Sequence, residues 1–345
     1  MRSFFTRFTG SPSTTKKRRR QEWRKSTRRS LRFAALGVEA LESRRLLAAG
    51  ALDATFGTAG IVVDNLQIGK DDYVHSAVIQ HVAGDDKIVI VGFQKNTTGS
   101  QLRDVMITRY NSNGSRDLTF GTGGSTIFNA SDIVNGEDGI HAVIVDDQNR
   151  LVLFGGAASS IGVPGARGVL IVRLTESGQL DTSFGTGGKV LTVMEDSLGN
   201  PLQVIGPEVA PRITNVVVLA DGKYLVGTTV ARTGPPHEDF ALLRFNDDGT
   251  LDTSFGDDGY VITDFNSGAD RLGSLAVQSD GKIVAIGRTE GLDPNGDIGL
   301  IRYNSDGTLD TTFGTGGRVV TNLVPTAFQS SDFATSVFIE QDGKI

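Results

Sequence analysis

The sequence predicts an all-β fold, a β-propeller-like array of four-stranded antiparallel blades, on three observations. A phrase of the form Leu-Asp-x-x-Phe-Gly-x-x-Gly recurs around Phe56, Phe120, Phe184, Phe255 and Phe313, at Phe-to-Phe intervals of 64, 64, 71 and 58 residues. Between successive phrases lie four short apolar stretches rich in Val and Ile and bounded by Gly, Asp or Asn, the signature of strands and not of helices. Four strands in about 60 residues fit a propeller blade better than a solenoid coil, whose repeats are usually shorter. The chain then holds four complete repeats and a truncated fifth, preceded by a basic segment, residues 1–50, expected to be disordered or short-helical. A β-sandwich array is the competing arrangement. It is disfavoured by the uniform strand pattern, the lack of a Cys-Trp-Cys core spacing, and a lone Trp23 that stands outside the repeats.

Repeat four shows the elements in order. The first is Tyr260-Val261-Ile262-Thr263, the second Leu272 to Gln278, the third Lys282 to Gly287 and the fourth Ile298 to Tyr303. The second and third are joined by Asp280-Gly281, which is compatible with a two-residue type I′ hairpin turn because both residues tolerate positive φ. Asp221-Gly222 and Asp342-Gly343 repeat it, while Gln148-Asn149 and Asp85-Asp86 stand in its place in repeats two and one and predict similar, less ideal turns. Repeat two departs most, with Arg116 in place of Leu and Asn149-Arg150 in place of Gly-Lys.

These motifs carry a resemblance. Leu-Asp-x-x-Phe-Gly-x-Gly-Gly, then Asp-Gly-Lys-Ile-Val, then Leu-x-Arg-Tyr-Asn-x-Asp-Gly resembles the bacterial delta-60 repeat, a family regarded as β-propeller-like, and the likeness covers residues 51–345. The resemblance implies a surface or extracellular repeat protein with no assigned activity.

Repetition separates scaffold from site. Arg109, Arg173, Arg244 and Arg302 occupy one place in every complete repeat, as do Asp53, Asp117, Asp181, Asp252 and Asp310. A ring of charge is the functional reading. The structural one, which is favoured, has each Arg pairing with a nearby Asp or capping a carbonyl between blades. The recurrent Phe reads as an apolar wedge and the following Gly as a point of close backbone approach. A catalytic centre needs unlike residues that converge once.

The two ends differ in composition. Residues 1–50 hold 14 Lys and Arg against three Glu, a net +11, so the remaining 20 basic and 37 acidic residues leave the rest at −17. Such asymmetry points to a targeting segment or a polyanion-binding arm. The targeting reading is the stronger. Thr27 to Phe33 resembles a twin-arginine export signal, and Leu41-Glu42-Ser43-Arg44-Arg45-Leu46-Leu47-Ala48 resembles the LEPR-XLL sorting motif of planctomycete surface proteins, with Ser43 in place of Pro. Processing near Ala48 to Ala51 would leave a strongly acidic mature chain. The C-terminal Asp342-Gly343-Lys344-Ile345 stops at the start of a predicted third strand, from which we expect an open arc with an edge strand prone to self-association.

No run approaches ~18 apolar residues, so no transmembrane helix is expected. The absence of Cys excludes disulfides, thiolate catalysis and thiolate metal sites.

Three candidates for chemistry remain. The acidic loops ending at Asp252 and Asp310 offer hard oxygen ligands for calcium through Asp248, Asp252, Asp306 and Asp310, but lack the EF-hand pattern, and Asp and Asn are ordinary turn formers. His75 and His141 follow carboxylates at matching places in repeats one and two and form a weaker metal candidate, since Thr214, Gly273 and Thr335 take that place elsewhere. The loop Ala231 to Asp239 and the extra residues Glu195 to Pro211 are repeat-specific, which makes them places to look for binding. No nucleophile motif or phosphate loop appears, so no catalytic residue and no organic cofactor is assigned.

The resulting expectation is a non-enzymatic, exported repeat scaffold for adhesion or ligand binding, with an unknown extracellular partner such as a polysaccharide or surface protein and no nucleic acid. The alternative is a carbohydrate-active hydrolase or lyase, which needs two unlike carboxylates ~5–10 Å apart across a central channel.

Overall fold

The structure, a computed structural model, describes residues 51–66, 71–95, 103–130, 138–159, 166–205, 213–231, 238–265, 268–290, 296–323 and 332–345, all within one compact unit, Ala51–Ile345. The export segment expected at residues 1–50 lies outside the described residues. Among the described residues no helix is long and apolar enough to cross a membrane.

Four antiparallel sheets follow one another along the chain. The first contains β1 (Asp71–Val82), β2 (Asp85–Lys95), β3 (Arg103–Asn111) and β4 (Ser125–Phe128), and the second β5 (Asp138–Val145), β6 (Leu151–Ser159), β7 (Ala166–Leu174) and β8 (Lys189–Thr192). In the third, the added β9 (Gln203–Ile205) pairs with β11 (Tyr224–Ala231), beside β10 (Ile213–Val218), β12 (Glu238–Phe245) and β13 (Tyr260–Thr263). The fourth contains β14 (Arg271–Val277), β15 (Ile283–Thr289), β16 (Asp297–Tyr303) and β17 (Arg318–Thr321).

The strands fall where the apolar stretches predict them, but the blade is offset from the repeat. Tyr260–Thr263 was expected to open repeat four; it pairs instead with β12 and closes the third sheet. The Phe-Gly phrase therefore lies inside a blade, between its third and fourth strands, and does not separate blades. Residues 51–66, likewise, are an intra-blade phrase with its following strand-like stretch, held by the Thr58–Ile61 bridge and by the backbone hydrogen bond from Gly57 to Asn113. Residues 332–345 form no assigned strand, although Glu340 and Lys344 close the same turn as in the earlier blades.

The Asp-Gly turn differs in type from the expectation. At Gln278 to Lys282 the hydrogen bonds enclose three residues, with only Gly281 at positive φ (+85°). This is a type I turn with a left-handed third residue, not a two-residue type I′ turn. Asn149 (φ +60°) takes that left-handed place in the second sheet. True type I′ geometry occurs at Gly187-Gly188 in the Phe-Gly phrase and, in the first blade, at Ala83-Gly84 and not at Asp85-Asp86. Both φ values are positive at each site, as this turn requires.

The second and third sheets bury both faces, so their central strands are nearly continuous apolar runs. Along β6 the side chains alternate: Leu151 and Leu153 enter the core shared with the first blade, while Val152 and Phe154 enter the core shared with the third. A third core, around Leu225, Phe240, Leu242 and Ile301, joins blades three and four. The first strand of each sheet packs against that of the next, β1 on β5, β5 on β10 and β10 on β14, which places the first strands innermost.

Candidate functional site

The meander gives each blade two ends. One carries the first-to-second and third-to-fourth turns. The other carries the second-to-third connections and the crossings to the next blade. We refer to these as the turn end and the loop end.

The residues shared by all repeats gather at the turn end and form a clasp between blades. Arg109 Nε donates to Asp117 Oδ2 at 2.8 Å, with both side chains buried, and the pairs Arg173–Asp181, Arg244–Asp252 and Arg302–Asp310 repeat this at 2.7, 2.7 and 2.8 Å. The other carboxylate oxygen of each Asp accepts from a hydroxyl two residues on, Thr119, Ser183, Ser254 or Thr312, and Asp53 does the same with Thr55. Each guanidinium also lies over the ring of the recurrent Phe, 4.5–4.7 Å from its centroid, from Arg109 on Phe120 to Arg302 on Phe313. Arg109, Arg173 and Arg244 then reach into the following blade and donate to the carbonyls of Glu176, Asp247 and Ser305. Each of the four arginines thus pairs with an Asp, and Arg109, Arg173 and Arg244 also cap a carbonyl of the next blade.

These contacts set the acidity of the aspartates. The hydroxyls of Ser183 and Thr312, with their arginines, hold Asp181 and Asp310 below the ordinary carboxylate value. Burial pushes Asp117 and Asp252 upward, but it is outweighed by hydrogen bonds from Thr119 to Asp117 and from Lys223 and Ser254 to Asp252, together with the partner arginines.

The calcium candidates of the turn end are engaged in the same framework. Asp248 Oδ1 accepts from the backbone and hydroxyl of Thr250, and Asp306 Oδ1 from those of Thr308, while Asp252 and Asp310 face their arginines. The glycine of each such turn is required by its neighbour: a Cβ on Gly249 would stand 2.4 Å from the Phe184 ring.

His75 and His141 do come together. Their rings stack at 4.7 Å between centroids, and Nδ1 of His75 lies 3.0 Å from the Ile140 carbonyl, to which it donates. Each occupies a β-bulge in its innermost strand, a place held by Thr214 and Gly273 in the next two blades. The carboxylates beside them are used otherwise: Asp72 accepts from Gln94 and Leu66, and Asp138 from the backbone of Ala130. At the same loop end Tyr73 is 45% exposed and stacks on Phe93.

Of the repeat-specific loops, Glu195 to Ile205 is built into the fold. Met194, Leu202 and Val204 are buried in the core, and β9 extends the third sheet. Residues 206–212 and 232–237 lie outside the described residues.

Sequence reasoning missed a cluster at the loop end between blades three and four. Asp239, Asp264 and Asp270 place one carboxylate oxygen each within 4.8 Å of one another, the one such group of three metal-capable side chains among the described residues. Asp239 and Asp270 are buried. The backbone N–H of Asp270 donates to Glu238 at 2.6 Å, and its Oδ2 accepts from the N–H of Phe265 at 2.7 Å. Burial, aided by the charges of Asp264 and Asp239, pushes the Asp270 carboxyl up to about 6. The available signal was positional: Asp72, Asp138, Asp270 and Asp332 all stand three residues before the bulge or its aligned place.

A family model described as a domain of unknown function (DUF5122) beta-propeller matches the chain four times, over residues 83–120, 151–184, 219–255 and 278–313. These are β-propeller repeats. Each matched segment of the propeller ends on the recurrent Phe of the clasp, so the family pattern and the interblade contact coincide. No curated protein matches the chain. Among solved structures, a hypothetical protein from Leishmania major is 10% identical over 74% of this chain and 90% of that one, with a TM-score of 0.21, and carries no argument.

Proposed function

We propose that this propeller is a non-enzymatic, exported scaffold that binds an extracellular ligand, such as a polysaccharide or a surface protein, with the loop end of its blades. One observation carries the reading: the Arg, Asp and Phe that the blades share are consumed by the interblade clasp at the turn end, whereas the stacked His75–His141 pair and the Asp239–Asp264–Asp270 cluster, each confined to one junction, lie at the loop end. Scaffolds of repeats present extended surfaces in this way, and function resides in what is grafted on them. Export is supported by the +11 charge of residues 1–50 beside a −17 remainder and by the sorting-motif resemblance at Leu41 to Ala48.

Intact mass of the protein in fractionated native cells tests the export. A species beginning near residue 50 in envelope or medium is expected. A full-length cytoplasmic species would overturn it and restore the polyanion-binding arm.

A further inference from the structure

We propose that Asp239, Asp264 and Asp270 form a calcium site that ties the outer strand of the third blade to the inner strand of the fourth. The three carboxylates come from separate elements: the start of β12, the residue following β13, and the approach to β14. Their oxygens lie within 4.8 Å of one another, a spread that calcium–oxygen distances of ~2.3–2.6 Å accommodate. Asp270 Oδ2 accepts from the N–H of Phe265, while its Oδ1 is buried with no hydrogen-bond partner. Such an atom costs free energy unless a cation or proton meets it. Arg271 pairs with Glu238 and Arg288 with Glu290.

The other junctions differ from this one in composition. Register places Asp104, Asn129 and Asp138 at the equivalent positions between blades one and two, and Asp297, Asn322 and Asp332 after blade four. There the middle residue is an amide, which can donate to a carboxylate. Only at the third junction is it Asp264, so a donor is replaced by a third negative charge. Between blades two and three, Gly168, Val193 and, by sequence, Pro211 remove all three oxygen ligands together. Hard oxygen ligands without nitrogen or sulfur favour calcium over a transition metal. Water and backbone carbonyls complete the coordination, and the affinity expected of an extracellular site is ~10⁻⁴–10⁻³ M.

Calorimetric titration of the chelator-treated full chain with calcium chloride, alongside Asp264→Asn and Asp248→Asn, tests this. Asp264→Asn recreates the composition of the neighbouring junctions and is expected to fold. The proposal expects saturable calcium binding by wild type and Asp248→Asn, and at least tenfold weaker binding by Asp264→Asn. It also expects calcium to raise the Tm of wild type by a few degrees and that of Asp264→Asn much less. Absence of binding at millimolar calcium would overturn it, as would unchanged binding by Asp264→Asn. A Tm gain from Asp264→Asn with no calcium effect on either protein would assign the cluster to a shared proton and overturn it too.

Discussion

The guanidinium of Arg109 lies 4.7 Å over the ring of Phe120 while its Nε holds Asp117 at 2.8 Å, so one side chain joins an apolar wedge to a buried carboxylate. The same side chain donates to Gln80 Oε1 in its own blade and to the Glu176 carbonyl in the next. Three kinds of contact therefore depend on a single residue that is almost fully buried.

Arg109→Ala leaves the Asp117 charge buried and uncompensated, a loss that typically costs about 3–5 kcal/mol. Arg302, at 20% side-chain exposure, makes the same ion pair in a wetter setting, and Arg302→Ala is expected to cost less than half as much. Urea unfolding midpoints of the two variants check the ranking, and equal losses would contradict it.

Gly249 and Gly187 both adopt positive φ, at +87° and +62°. A Cβ at Gly187 meets nothing within 4 Å, so Gly187→Ala should cost only the left-handed strain of roughly 1–2 kcal/mol. At Gly249 the Cβ would collide with Phe184, and Gly249→Ala should lose at least twice that in chemical denaturation.

Asp117, Asp181, Asp252 and Asp310 are held below their unfolded values. For a depressed carboxylate the stabilisation is complete above the unfolded pKa, about 3.9, and is lost as pH falls through the lower folded value. Tm should therefore drop progressively below pH ~4, and Asp181→Asn should flatten that part of the profile. A wild-type Tm unchanged down to pH 2 would rule out this source of stability.

The strands were legible because Val and Ile runs bounded by Gly and Asp encode them locally. The blade boundary was not, because nothing inside Tyr260–Thr263 tells whether it pairs with the strand before or after it; the pairing with β12 does. The clasp was half legible: Arg and Asp recur visibly, but the hydroxyls of Thr119, Ser183, Ser254 and Thr312 vary in identity and escape a search for a fixed residue. The Asp239–Asp264–Asp270 cluster was hidden for a different reason. Its members stand 25 and 6 residues apart on three elements, and only the sheet register brings them together.

Retention of the purified chain on envelope polysaccharide from its native cells tests most directly whether function resides at the loop end. Tyr73→Ala and Arg271→Ala alter exposed loop-end side chains, whereas Leu118→Ala and Asp280→Ala alter exposed ones at the turn end. The account predicts at least tenfold weaker retention for the first pair and wild-type retention for the second. Loss of retention confined to the turn-end variants would contradict it.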